Sequence, residues 1–303
     1  MTTVTLIGAP TDVGASVLGA SMGPDALRIA GIARALRALG LEVRDAGNLP
    51  GPGNPQALAQ DGLRHLQEVV QWNRAVFGAT AAALGQGRLP LLMGGDHCLA
   101  IGSISAVAAH CRARGRRLKV LWFDAHADAN TPGTSPSGNL HGMPVACLMG
   151  HGPRTLTALA GQPALAPGQI TQIGVRSVDA VEKRFVAEHG IAVHDMRSID
   201  EHGMRAVMQQ ALADVDADTH LHVSFDMDAM DPSVAPGVGT DVRGGLTYRE
   251  TQLCMEMLAD CGQLASADLV ELNPALDVRN QTAELAVDLL ESLFGKSTLV
   301  RAR

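Results

Sequence analysis

KVLWFDAHAD, residues 119–128, sets an apolar, β-prone run directly before Asp124, His126 and Asp128, which follow one another at intervals of two. Alternate residues of an extended chain share a face, so these three side chains are expected to project together just past a strand end. SFDMDAMDP, from Ser224 to Pro232, repeats the arrangement with Asp226 and Asp228 after another apolar run. LPLLMGGDH, from Leu89 to His97, adds an imidazole at the same kind of position. Ligands of open parallel sheets collect at the carboxyl ends of strands, so three separated segments can meet in one crevice.

Working outward, short β-rich runs alternate with longer Ala/Leu-rich stretches of helical period, the pattern of parallel strands joined by crossover helices. Strands are expected at VTLIGA from Val4, LEVRDA from Leu41, LPLLMGG from Leu89, KVLWFDA from Lys119, ITQIGV from Ile170, IAVHD from Ile191, HLHVSFD from His220 and SADLVEL from Ser266. Helices are expected over 24–39, 55–86, 99–114, 179–189, 200–215, 247–262 and 278–294, with Gly190, Gly203 and Gly262 as punctuation. Segments 47–55, 130–144 and 231–245 are rich in Gly, Pro, Ser and Asn and read as loops. No repeat, low-complexity tract or composition shift marks a linker. The expected fold is therefore α/β and three-layered, a mostly parallel sheet flanked by helices, in one domain over residues 1–303.

The composition narrows the partners. The chain has 303 residues, 46% of them hydrophobic, enough for a sizeable core. Its 31 acidic residues outnumber 24 Lys and Arg, for a net charge of −7. That balance argues against nucleic acid as a partner and suits a small cationic substrate. Cys98, Cys111, Cys147, Cys254 and Cys261 form no CxxC pair, and their odd number fits reduced thiols in the cytoplasm. MTTVTLIGAP carries no basic residue, unlike a charged targeting signal. No apolar run is long enough to span a membrane.

If the three segments meet, Asp124, Asp128, Asp226 and Asp228 crowd four carboxylates into one place, which without cations would raise some of their pKa values or destabilise the fold. Two divalent ions would offset that charge. Carboxylate oxygens mixed with imidazoles suit Mn²⁺ better than the sulfur- or histidine-dominated sites of Zn²⁺. Two such ions roughly 3.5–4 Å apart would bridge a water, lower its pKa and supply a hydroxide nucleophile at neutral pH. Each residue taken alone has an ordinary reading: a strand-end Asp is often a turn former, and a single His is often a satisfied polar group. Repetition of the spacing on two strand ends is what favours ligation. Asp231, before Pro232, reads as a turn residue or as a hydrogen-bonding support for the site.

Together these segments resemble the ureohydrolase family, and SGNLHGMP, Ser137 to Pro144, is similar to its arginase branch. The likeness runs from GAPTDVGASVLGASMGPDALR at Gly8 through GGDHC, DAHADANTP, SGNLHGMP and SFDMDAMDPSVAPGVGT to VELNPAL at Val270. It implies a parallel sheet flanked by helices and two Mn²⁺ per subunit, one held by His97, Asp124, Asp128 and Asp228, the other by His126, Asp124, Asp226 and Asp228. It further implies that a metal-bridging hydroxide, oriented by Asp128, attacks the guanidinium carbon of L-arginine to give L-ornithine and urea. His141 would be the proton shuttle, and Glu271 the carboxylate that receives the planar cation. Asn130, Ser137 and Asn139 would read the α-carboxylate and Asp179 the α-ammonium group. Assembly as a homo-oligomer, a trimer or hexamer, is implied in the same way, with Arg249 and Glu250 matching a pair at subunit contacts.

Local readings stand beside these. Asn130, Ser137 and Asn139 lie in a loop where such residues serve turns, and Asp179 three residues before Glu182 has the spacing of a helix N-cap. His141 also reads as a loop histidine bonded locally, Arg249 and Glu250 as surface residues, and Thr240 and Arg176 are left unassigned. The family's pattern is not matched everywhere: position 177 is Ser where many arginases are acidic, and position 136 is Pro. Within the enzyme class the alternative substrates are agmatine or a guanidino acid; outside it, the alternative is a non-catalytic, metal-dependent amino-acid binder. SGNLHGMP favours arginine, since a substrate without an α-carboxylate needs no loop to receive it.

Overall fold

The computed structural model describes residues 3–299. Eight strands, β1 Thr3–Ala9, β2 Glu42–Asn48, β3 Leu89–Gly94, β4 Arg117–Phe123, β5 Ile170–Val175, β6 Ala192–Asp195, β7 Thr219–Asp226 and β8 Leu264–Val270, form one sheet in the order β2-β1-β3-β8-β7-β4-β5-β6. Every pairing is parallel. All eight expected strands are present, and the sheet is wholly rather than mostly parallel.

Period-two alternation divides the core into two layers. Leu121 and Phe123 of β4, Leu221, Val223 and Phe225 of β7 and Leu91 and Met93 of β3 join one apolar cluster. On that side pack α1 Gly23–Ile29, α2 Ile32–Ala38, α8 Met196–His202, α9 Met204–Ala211, α10 Tyr248–Cys261 and α11 Gln281–Leu293. Leu118, Val120 and Trp122 of β4 and Ile7 and Leu92 of β1 and β3 face the other way. Against them lie α3 Leu66–Gly85, α4 Ala100–Arg114, α5 Pro144–Leu148 and α6 Arg154–Thr157, with α7 Ala180–Glu188 at the margin. On β7 the residues that alternate with the apolar ones are His220, His222 and Ser224, all buried.

Helix boundaries depart from expectation where the backbone turns left-handed. The stretch 24–39 is two helices broken at Gly31, φ 89°, and 200–215 is replaced by α8 and α9, parted at Gly203, φ 79°. Residues 55–65 are not helical, because Gln56, Asp61 and His65 all take positive φ, and α3 starts only at Leu66. Two short helices, α5 and α6, were not expected.

The sheet order explains where a site can form. The chain winds outward through β1 and β2, then β3, before crossing to β4, and the gap so left is filled by β8 and β7. The central row β3-β8-β7-β4 thus brings four carboxyl ends side by side, at the change of winding direction where a crevice opens. Gly95, just beyond β3, joins this row to β1: its N–H donates to Ala9 O at 3.1 Å and its O accepts from Glu271 N at 2.8 Å. A Cβ there would lie 1.8 Å from Thr11 O. Gly95→Ala should therefore cost about 3 kcal/mol or more, read as a lower urea midpoint; an unchanged midpoint would show that the junction can yield.

Candidate metal centre and active site

The site is assembled from four strand ends. His97 begins a 3-10 turn after β3, Asp124, His126 and Asp128 follow β4, Asp226 ends β7 with Asp228 in the turn beyond it, and Glu271 follows β8. His97 is fully buried, and its Nδ1 lies 3.1 Å from Asp124 Oδ2, 3.3 Å from Asp128 Oδ2 and 3.1 Å from Asp226 Oδ2. His126 Nδ1 lies 3.4 Å from Asp124 Oδ1 and 3.1 Å from Asp228 Oδ2. Asp124 thus faces both imidazoles, one oxygen to each.

Convergence does not come from an extended chain, as the spacing of two had suggested. Asp124 turns back to accept from His126 N at 2.7 Å, and Asp226 Oδ1 accepts from Asp228 N at 2.7 Å, so each spacing of two is a tight side-chain turn. Asp128 is then swung inward by a left-handed backbone, φ 50°, as is Glu271 at φ 61°. Both conformations are costly for residues with a Cβ and persist only where surroundings enforce them. The turn after β7 departs in one respect from the pairing that the resemblance implied: Asp226, not Asp228, stands against His97, while Asp228 lies against His126 as implied.

Electrostatics show how tightly the acids are pressed. Burial, then the neighbouring Asp124, push Asp128 well above the usual carboxylate range; burial, then Asp228 and Asp124, do the same to Asp226. Asp228 is raised by burial and Asp124. Burial also acts to raise Asp124, but hydrogen bonds from His126 and His97 outweigh it and hold that carboxyl low. For the two histidines burial disfavours the cation, yet the same carboxylates lift His97 to about 9 and His126 to about 12. Imidazolium thus supplies the positive charge that the cluster demands.

Divalent ions would meet that demand better, and the donors fit them. Ligand atoms of His97, Asp124 and Asp226 lie within 4.8 Å of one another, as do those of Asp124, His126 and Asp228. Oxygen and imidazole donors without sulfur form a set suited to hard or borderline cations.

Beside the cluster, Glu271 Oε1 accepts from His97 N at 2.8 Å and lies 3.0 Å from His141 Nδ1. Burial lowers and Glu271 raises the affinity of His141 for its proton, with a net upward shift; burial would raise Glu271, but His141 holds it down. His141 N donates to Gly14 O at 3.1 Å, and Gly14 N donates to Asp96 Oδ2 at 2.8 Å, fastening the His141 loop to the turn that carries His97. Asp96, pushed to about 6 by burial and by Glu271, also accepts from Cys98 N. The Cys98 thiol is driven well up by burial and Asp96, which makes it inert as a nucleophile.

The candidate substrate residues fall into two hydrogen-bonded groups. Asn130 Nδ2 donates to Asp179 Oδ2 at 3.1 Å, while Ser137 Oγ accepts from Asn139 N and Asn139 Oδ1 accepts from Ser16 Oγ. Asp179 is also the N-cap of α7, in a capping box with Glu182, whose Oε1 accepts from Ala129 N. Asp231 accepts from the Ser233, Gly244 and Gly245 N–H groups, as a turn residue does. Thr240 Oγ1 donates to Asp228 Oδ2 at 3.0 Å, and Arg176 donates to five carbonyls, those of Gly174, Asp228, Ala229, Met230 and Val242. Glu250 closes a capping box with Thr247, and Arg249 bonds Gln252.

Two supports were not singled out from the sequence. The Trp122 indole stacks on His97, centroids 4.0 Å apart, and its Nε1 donates to Asp124 Oδ2 at 2.9 Å; Ser224 Oγ lies 3.0 Å from His97 Nε2. For Ser224 a partial signal was present, since a strand covered on both faces should be apolar throughout and HLHVSFD is polar at every second residue; for Trp122, in an apolar run, there was none.

The chain that builds this site at the carboxyl ends of an all-parallel sheet can be placed in a family. The Arginase family model covers residues 2–295, and the chain belongs to that family. The arginase of Bacillus caldovelox is 45% identical over 304 residues, covering 99% of this chain and all of that protein. The native structure of that enzyme superposes with a TM-score of 0.92 at 43% identity, over 99% of this chain and all of the other. Entamoeba histolytica arginase, solved with L-ornithine, gives 0.89 at 32% identity, over 98% of this chain and 100% of that one.

Because His97 and His126 are raised above neutrality and must be deprotonated to ligate, metal uptake at pH 7 should release protons and tighten as pH rises. Calorimetric titration with Mn²⁺ in two buffers of different ionisation enthalpy measures this; a buffer-independent heat would contradict it.

Proposed function

We propose that the protein is an arginase, a single-domain enzyme that hydrolyses L-arginine to L-ornithine and urea with two Mn²⁺ per subunit. His97, Asp124, Asp128 and Asp226 would hold one ion, and His126, Asp124 and Asp228 the other. The carboxylate-rich donor set supports manganese over zinc. Bound there, the ions would activate water and stabilise charge on the guanidinium carbon's substituents.

The observation that carries this reading is the contact between Glu271 and His141, set directly against a candidate ligand. Glu271 Oε1 is engaged by His97 N and His141, while Oε2 takes no hydrogen bond among the described residues and remains open to a planar N–H donor. A carboxylate held low at the wall of the crevice suits a guanidinium. His141, anchored through Nδ1 and raised in proton affinity, leaves Nε2 to deliver a proton to the departing nitrogen as the C–N bond breaks. Asp128, the most weakly paired of the acids, would align the attacking oxygen. Asn130, Ser137, Asn139 and Asp179 supply polar groups for the α-carboxylate and α-ammonium, which favours arginine over agmatine.

Five free cysteines support a reducing, cytoplasmic setting. No helix among the described residues is long and apolar enough to cross a membrane. Val17, Leu18, Met22, Leu276 and Val278 expose apolar surface, which supports assembly as a homo-oligomer, a trimer or hexamer.

Manganese-loaded protein should release urea from arginine in preference to agmatine and guanidinobutyrate, with ornithine formed in equal amount; equal or faster turnover of agmatine would overturn the assignment. His141→Asn should lower kcat on the order of 100-fold with a much smaller change in KM. An unchanged kcat would remove His141 from the proton path.

A further inference from the structure

The polar row of β7 continues away from the ligands. Because His97 Nδ1 faces three carboxylates, the nitrogen that keeps a hydrogen when Nδ1 ligates is Nε2, and it points at Ser224 Oγ. A hydroxyl that accepts this hydrogen must place its own somewhere. In the sheet, Ser224 is paired with Trp122 on β4 and with Asp268 on β8. Trp122 is a donor only, already committed to Asp124. Along β7, His222 has both ring nitrogens engaged, with Ser266 Oγ and Asp268 Oδ2, and Asp226 has one oxygen on Asp228 N and the other against His97.

Asp268 is different. It is 1% exposed, its Oδ2 accepts from Ser103 Oγ at 2.6 Å and lies 3.1 Å from His222 Nε2, and its Oδ1 is buried with no partner. A buried carboxylate oxygen without a donor is costly, and the hydroxyl in the next strand has a hydrogen to give. The two oxygens make no direct hydrogen bond in this structure, but adjacent strands lie about 4.8 Å apart, a span that a side-chain rotation or one water closes.

We propose that Asp268 is a positioning residue of the metal centre: its Oδ1 receives the Ser224 hydroxyl hydrogen, so that an Asp268–Ser224–His97 chain fixes the His97 tautomer and ring and strengthens Nδ1 as a donor. This rests on the ligand role proposed for His97. Calorimetric titration of the metal-free full chain with Mn²⁺ separates the two. Asp268→Asn and Ser224→Ala should each weaken one of two sites about 10–100-fold and leave the other unchanged, and the double variant should be no weaker than either single one. Ser103→Ala, which removes only the far hydrogen bond of Asp268, should keep both affinities and lower thermal stability. The inference is overturned if Asp268→Asn binds like the wild type, if the two losses multiply, or if Ser103→Ala weakens metal equally. Wild-type protein that takes up no manganese overturns the ligand assignment as well. Should Asp268→Asn not fold, neutron diffraction of the manganese-loaded wild type decides: a Ser224 hydrogen directed toward Asp268 supports the chain, and one directed toward Asp226 refutes it.

Discussion

Four buried carboxylates held against two imidazoles are the constraint on which the rest of the structure depends. Such a group is unfavourable in a low-dielectric interior unless cations compensate it. The fold accepts the arrangement because the surrounding sheet fixes the backbones of β3, β4, β7 and β8 independently, through parallel pairing and two apolar layers. Free energy from the core holds the acids together, and the acids in turn define a place for positive charge. The imidazolium form of the histidines and the occupied metal centre are alternative solutions to one electrostatic problem, so folding, metal uptake and protonation are linked.

The left-handed residues Asp128 and Glu271 belong to the same economy of strain. Each lies just past a central strand, and each is locked by neighbours: Asp128 O accepts from Val145 N, and Glu271 N donates to Gly95 O. Their side chains are thereby aimed before any substrate arrives. Preorganisation of this kind lowers the reorganisation required during reaction.

How much of this could be read from the residues varies with the physics involved. The strands were legible because β-branched apolar runs bounded by Gly and Asp have few other uses, and the meeting of His97, Asp124, His126, Asp128, Asp226 and Asp228 followed from their places at strand ends. What escaped was set by backbone detail. Gly31 and Gly203 split helices whose periodicity looked continuous, and three positive-φ residues kept 55–65 out of a helix. The side-chain turn at Asp226 set that carboxylate against His97, where the resemblance had implied Asp228, while Asp228 lies against His126 as implied. Trp122 went unnoticed because a Trp in an apolar strand is ordinary until the ring beside it is located, and Ser224 because the polar alternation of β7 marks a row of residues without saying which of them meets His97.

Arg176 grips the segment beyond β7 only by main-chain oxygens. Because a carbonyl is common to every residue, that hold is indifferent to which side chains the segment carries between 229 and 242. The exposed side chains of this rim are therefore free to change over evolutionary time, whereas Thr240, bonded to Asp228, and the buried Met230, Ala235 and Val238 are not, so the surface chemistry of the crevice can vary while the carboxylate cluster beneath it keeps its place.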